Sequence, residues 1–128
     1  MNKEIIKQYI KKADNKLHAA NIEFDDELYE ECIGCAYYAM YHASKALLLT
    51  KELTPKKHAG VITKLGEEFL NIGMLDQDDI KNVSWGLERR IKADYDPLIE
   101  MDRVEASEAL TRAEDYINKI KKVIDKIM

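Results

Sequence analysis

The stretch Ala36-Tyr37-Tyr38-Ala39-Met40-Tyr41-His42-Ala43-Ser44-Lys45-Ala46-Leu47-Leu48-Leu49 decides the fold, because it carries apolar stripes on two opposite sides of one helix. At about 100° per residue, Leu28, Cys32, Cys35, Ala39, His42, Ala43, Ala46 and Leu49 fall on one side, and Ile33, Tyr37, Tyr41, Ser44 and Leu48 on the other. A helix that is apolar on both sides belongs in the middle of a bundle. One side packs on neighbouring helices, the other on a further helix or a second subunit.

Working outward, an amphipathic helix from about Lys3 to Ile22 precedes it, with Ile6, Tyr9, Ile10, Ala13, Leu17 and Ala20 on its inner face. Asp25 or Asp26 is the expected N-cap of the central helix, which runs from about Glu27 to Lys51. Thr54-Pro55 reads as the start of a third helix reaching about Asn71, with Val61, Ile62, Leu65 and Phe69 inward and Gly73 as its left-handed terminator. Asp76 caps a fourth helix whose core stripe is Ile80, Val83, Leu87 and Ile91. Asp94-Tyr95-Asp96-Pro97 breaks the pattern, since the residue before a proline leaves the α region. Asp102 with Glu105 resembles a capping box and opens a last long helix lined by Leu110, Ala113, Ile117, Ile120, Ile124 and Ile127. The expectation is one all-α domain over residues 1–128, an up-and-down bundle of about five helices with a four-helix core and short connections between antiparallel neighbours.

Composition agrees. The 128 residues are 46% hydrophobic and 34% charged with five Gly and two Pro, which suits helices and argues against a sandwich, a barrel or a disordered tail. A net charge of −4 argues against a general nucleic-acid coating protein, but charge is polarised. Lys56, Lys57 and His58 form one basic cluster and Arg89, Arg90 and Lys92 another, whereas Glu23, Asp25, Asp26, Glu27, Glu30 and Glu31 are acidic. No apolar run approaches the roughly 20 residues of a membrane span, and the start lacks a signal-peptide core, so no membrane association and a cytoplasmic location are expected.

Most catalytic constellations are excluded. Cys32 and Cys35 have C-x-x-C spacing but lie inside a helix, where no strand-to-helix dipole activates a thiol, and read as small core residues. A zinc site needs two further ligands, and only His42 shares their face, so no metal or other cofactor is expected. None of His18, His42 or His58 has Glu three residues before it, which excludes the di-iron pattern of bundles. Tyr37, Tyr38 and Tyr41 are a stacking surface in principle and core or interface by preference. Neither a phosphate-cradling Gly-rich loop nor a nucleophile elbow is present. The remaining junction, Glu88-Arg89-Arg90-Ile91-Lys92-Ala93-Asp94-Tyr95, offers Arg to grip phosphate and Tyr to stack or donate.

Three segments together, Tyr37 to Ala43 continuing through Leu49, Lys57-His58-Ala59-Gly60-Val61-Ile62, and Arg90-Ile91-Lys92-Ala93-Asp94-Tyr95, resemble the HEPN superfamily, in particular its small single-domain prokaryotic branch. The resemblance implies a five-helix bundle that dimerises around its central helices. It also implies a place in toxin–antitoxin or defence systems, beside a minimal nucleotidyltransferase. Ribonuclease members use an Arg, then a His four to six residues on, commonly followed by a Tyr. Here, with Tyr95 matched to that Tyr, Ala93 stands at the His position and Glu88 at the Arg position. Arg90 and Tyr95 remain, with His58 as a substitute proton carrier, so a catalytically weak or inactive protein is expected.

The site implied for nucleotide or RNA phosphate is Lys57, Arg89, Arg90, Lys92 and Tyr95, and the homodimer interface is Tyr37, Tyr41, Ser44 and Leu48. Tyr95 is also the implied acceptor of nucleotides from the partner enzyme. The alternatives are a metal-independent endoribonuclease using Arg90, Tyr95 and His58, and a purely structural dimerisation module.

Overall fold

The computed structural model describes residues 2–128. Five α-helices follow one another: α1 (Lys3–Asp25), α2 (Tyr29–Leu49), α3 (His58–Leu65), α4 (Gln77–Tyr95) and α5 (Arg103–Ile127), and a π-helical turn, Gly66–Leu70, extends α3. No strand occurs among the described residues. Helix α2 is the centre, packed most extensively on α1 and α5 and also against α4 and α3.

That packing answers what covers the second side of α2. Tyr37 (1% exposed), Tyr41 (8%), Ser44 (0%) and Leu48 (0%) are buried within the chain itself. They therefore do not form the expected dimer interface. Periodicity reports that a side chain is buried, and α5 and α4 supply the cover that a second subunit was expected to give. Ser44 donates its hydroxyl to the Met40 carbonyl at 2.8 Å and accepts from the Tyr116 hydroxyl of α5 at 2.5 Å, an internal polar tie across the core.

Most inward residues read from the sequence are buried: Ile6, Ala13, Ala20, Val61, Leu65, Phe69, Val83, Ala113, Ile117, Ile120 and Ile124. Leu28 and Ile91 are exceptions, at 47% and 46% exposed, and Ile91 lies on α4. It lines an open groove between α3 and α4 with Ala59, Ile62 and Leu87.

Several helix ends differ from expectation. Asp26 closes α1 instead of capping α2, because Glu27 adopts a left-handed conformation (φ 64°) and the Leu28 N–H reaches back to the Glu23 carbonyl at 2.8 Å. Leu28 precedes α2 without a side-chain cap, and Glu30 and Glu31 supply the negative charge of the first turn. Thr54-Pro55 does not start α3; residues 54–56 are non-helical, Lys57 is the extended N-cap, and Pro55 lies against Gly60. The α-helical ladder stops at Leu65, and Gly73 (φ 75°) ends the segment as expected.

Asp76 and Asp79 form a complete capping box on α4. On α5 only half of the box forms: Asp102 accepts from the Glu105 N–H at 2.9 Å, while the Glu105 carboxylate lies 3.5 Å from Arg89. Helix α4 ends at Tyr95, with Asp96 extended before Pro97.

Gly86 sets how closely α4 approaches α2. A Cβ there would stand 2.7 Å from Met40 Cε and 3.1 Å from Tyr37 Cδ1. One turn further on, Arg90 is brought over α2.

Candidate functional site

Tyr37, Tyr38 and Tyr41 occupy neighbouring positions on one flank of α2, and His58 opens α3 against them. The His58 ring stacks on Tyr41 with centroids 4.3 Å apart, and the Tyr37 hydroxyl is hydrogen-bonded to His58 Nδ1 at 2.6 Å. From α4, the Arg90 guanidinium lies 4.6 Å from the Tyr38 ring centroid, and Tyr38 is 6.0 Å from His58 by ring centroids. Lys45, one turn along α2, places its ammonium 5.4 Å from the Tyr41 ring. Three helices thus deliver an imidazole, a guanidinium and three phenols to one face.

Burial, and after it the positive charges of Arg90 and Lys45, hold the His58 pKa below its ordinary value. Near neutral pH the ring is therefore uncharged. Burial foremost, with Tyr41 and Tyr38, pushes the Tyr37 hydroxyl well above the usual phenol range, so it keeps its proton. A protonated Tyr37 hydroxyl serves either histidine tautomer. It donates to an unprotonated Nδ1, leaving Nε2–H as an acid, or accepts from Nδ1–H, leaving Nε2 as a base. No other polar group among the described residues bonds to the ring, and Nε2 stays open. Arg90 commits one nitrogen to Asp94 at 2.8 Å, and the rest of its fork is free to grip a phosphate.

Of the residues anticipated for phosphate binding, Arg90 alone joins this face. Consecutive helical residues diverge by about 100°, so Arg89 turns toward α5, lying 5.5 Å from the ring of Trp85 on its own helix and 3.5 Å from Glu105 of α5. Lys92 pairs with Glu88 at 3.2 Å beside the α3–α4 groove. Tyr95 is 83% exposed at the end of α4. Lys57 is exposed at the N-cap of α3, next to His58. The five do not form one surface.

His58, weighed only as a substitute, is the residue the packing brings to Arg90. Tyr37 and Tyr41, assigned to an interface, are its supports. Lys45 was missed; its one signal is the spacing of a lone cation among Tyr38, Tyr41 and His42 on a helix. The two cysteines are inert: burial raises the Cys32 thiol to about 12 and the Cys35 thiol to about 11. Among the described residues no helix is long and apolar enough to cross a membrane, and no group of three or more His, Cys, Asp or Glu is arranged to hold a metal ion.

The chain is 39% identical to a protein of Methanocaldococcus jannaschii named as a putative toxin, over 100% of this chain and 97% of that protein. A second M. jannaschii protein with the same description is 35% identical over 95% of this chain and 83% of its own length. A UPF0332 protein of Archaeoglobus fulgidus is 36% identical over 91% of this chain and 93% of that protein. The crystal structure of TT1696 from Thermus thermophilus has the same fold, with a TM-score of 0.80 at 20% identity, covering 96% of this chain and 99% of that one. The HEPN domain model matches residues 6–123, and with that match and its five-helix bundle the chain belongs to the HEPN family.

Proposed function

We propose that this protein is a toxin-like HEPN protein that binds RNA or nucleotide phosphate at the His58–Arg90 face, as a homodimeric member of a toxin–antitoxin or defence-type pair with a minimal nucleotidyltransferase. The observation that carries the reading is the convergence of His58, Arg90 and the α2 tyrosines from three helices. A guanidinium held 4.6 Å from the Tyr38 ring centroid, with N–H donors left over after its bond to Asp94, suits a phosphate, and half-buried Tyr38 offers an aromatic edge to a base. The relatives named as toxins support the toxin-like part. Exposed Tyr95 is accessible enough to accept nucleotides from the partner enzyme, which would set negative charge at the end of α4.

The test is anisotropy of a labelled single-stranded RNA titrated with protein at several salt concentrations. Arg90→Ala weakens binding roughly tenfold, the loss of a charge-assisted contact. It also flattens the log–log salt slope by about 0.7, the counterion release of one phosphate on a single strand. Binding and slope identical to the unaltered protein refute the site. Tagged protein recovered from its native host brings down a minimal nucleotidyltransferase in stoichiometric amount; recovery of the chain alone refutes the pairing.

A metal-independent endoribonuclease is the second reading, favoured by the neutral His58 beside Arg90. Its Nε2 takes the ribose 2′-OH proton, the 2′-oxygen attacks the adjacent phosphorus, and the P–O5′ bond breaks as the departing 5′-oxygen takes a proton from solvent, giving a 2′,3′-cyclic phosphate; the imidazolium then returns its proton to solvent. Cleavage in EDTA that disappears in His58→Ala supports this reading. Binding without cleavage, or cleavage that survives the substitution, refutes it.

A further inference from the structure

A second basic face adjoins the first and shares Lys45 with it. On α1, Lys12, Asn15, Lys16 and Ala19 follow the i, i+3, i+4, i+7 spacing of one helical stripe, and with His42 of α2 they line a cleft of about 360 Å³. Lys45, one turn beyond His42, reaches over Tyr9 of α1 at 5.5 Å from the ring centroid. Among the described residues none of Lys12, Lys16 and Lys45 has a carboxylate within salt-bridge distance, a state they share with Lys7, Lys11, Lys56 and Lys57, so it is their grouping around His42 that sets them apart. His42 Nδ1 is buried without a hydrogen-bond partner, and its ring stacks on Tyr9 at 6.3 Å. Lys12 and Lys16 line the cleft beside the imidazole, and Lys45 acts on it from its own helix, an arrangement suited to an anion. Burial first, then Lys12, Lys16 and Lys45, lowers the His42 pKa, which marks the field the three lysines project onto the cleft.

The two faces share a wall. The Tyr38 ring carries Arg90 at 4.6 Å and Lys16 at 6.0 Å, and Tyr38 and Tyr41 each lie within 6.4 Å of both His42 and His58 by ring centroids. Cations set around a half-buried aromatic ring, here Tyr38, are the pattern that follows a single strand, its phosphates on the cations and a base against the ring.

We propose that Lys12, Lys16, Lys45 and His42 form a second phosphate subsite, continuous with the His58–Arg90 face through Tyr38, so that the ligand is a single-stranded oligonucleotide spanning both. The assignment of the oligonucleotide rests on the proposed function; the anion subsite stands on its own residues. Two measurements separate them. Inorganic phosphate titrated into the protein shifts the His42 imidazole C–H resonances, and the shift is lost in the double variant Lys12→Ala, Lys16→Ala. Both lysines are exposed, so the bundle is retained.

In the same variant the affinity for a single-stranded RNA oligomer falls roughly tenfold, its salt slope flattens by about 0.7, and binding of a dinucleotide is unchanged. A His42 resonance that ignores phosphate overturns the subsite. RNA affinity and slope that are unaltered in the lysine variant but reduced by Arg90→Ala overturn it too, and leave the proposed function standing. A His42 response in a protein that binds no RNA supports the subsite and refutes the functional reading.

Discussion

Removing the Ser44 hydroxyl is expected to cost more than removing the hydroxyl it pairs with. Ser44 and Tyr116 are both fully buried, and their oxygens are 2.5 Å apart. Ser44 gives its single proton to the Met40 carbonyl, so Tyr116 is the donor in the pair. Ser44→Ala strands that phenol in an apolar core with no other partner, at about 1–3 kcal/mol. Tyr116→Phe leaves Ser44 still bonded to Met40 and removes only an accepted bond, about 0.5–1.5 kcal/mol. The double variant removes both polar ends, so its cost lies near that of Tyr116→Phe alone, with a coupling of about 1 kcal/mol or more.

The assay is urea unfolding followed by far-ultraviolet circular dichroism, with thermal melts as a check. At this chain length 1 kcal/mol corresponds to roughly 3–5 °C. Additive single costs, or a Ser44→Ala variant no less stable than Tyr116→Phe, would show that the direction of the hydrogen bonds has been misread.

Gly86→Ala is expected to lower stability by about 1–2 kcal/mol, because a Cβ 3.1 Å from the Tyr37 ring forces a packed core to give and outweighs the gain of about 1 kcal/mol in helix propensity; a stabilised variant would refute the close approach. His58 should titrate below 6.5 by NMR, and Arg90→Ala should raise its midpoint by removing a nearby positive charge; an unchanged midpoint refutes the juxtaposition. His42 and His58 both have folded pKa values below their unfolded ones, so the stability they protect is full above about pH 6.5 and is lost as pH falls from there toward the folded values. Denaturant midpoints measured on either side of that pH, with and without His42→Gln and His58→Gln, check the sign. Glu27→Gly should leave stability unchanged or raise it by up to about 1 kcal/mol, since a left-handed backbone at φ 64° penalises a side chain; a clear loss of stability refutes the strain.

The helices were legible because their inner faces repeat with the helical period, and the ends of α4 and the start of α5 because Asp76, Asp79, Asp102 and Pro97 have narrow local meanings. The turn between α1 and α2 was not, because Glu27 takes the left-handed position that usually announces itself as Gly or Asn. Thr54-Pro55 misled for a related reason: a start signal states where a helix is permitted to begin, and the chain uses Lys57 instead.

The site was legible in part. Arg90 was named from its cluster, but its neighbours along the chain point elsewhere, and its partner His58 reaches it only through the packing of α3 and α4 on α2. Tyr37 and Tyr41 were recognised as buried, and only the folded chain says that His58 is what they touch.

Helix α3 has one further consequence. It is the shortest of the five, ends in a π-helical turn, and is packed less extensively on its neighbours than α1 or α5. Such a segment opens at a lower free energy than the bundle as a whole, so its amides should exchange with solvent ahead of those in α2. Each opening withdraws His58 while Arg90 and the tyrosines remain in place on their long helices. The lifetime of the assembled site is therefore governed by a local equilibrium of one short helix, separately from the survival of the fold.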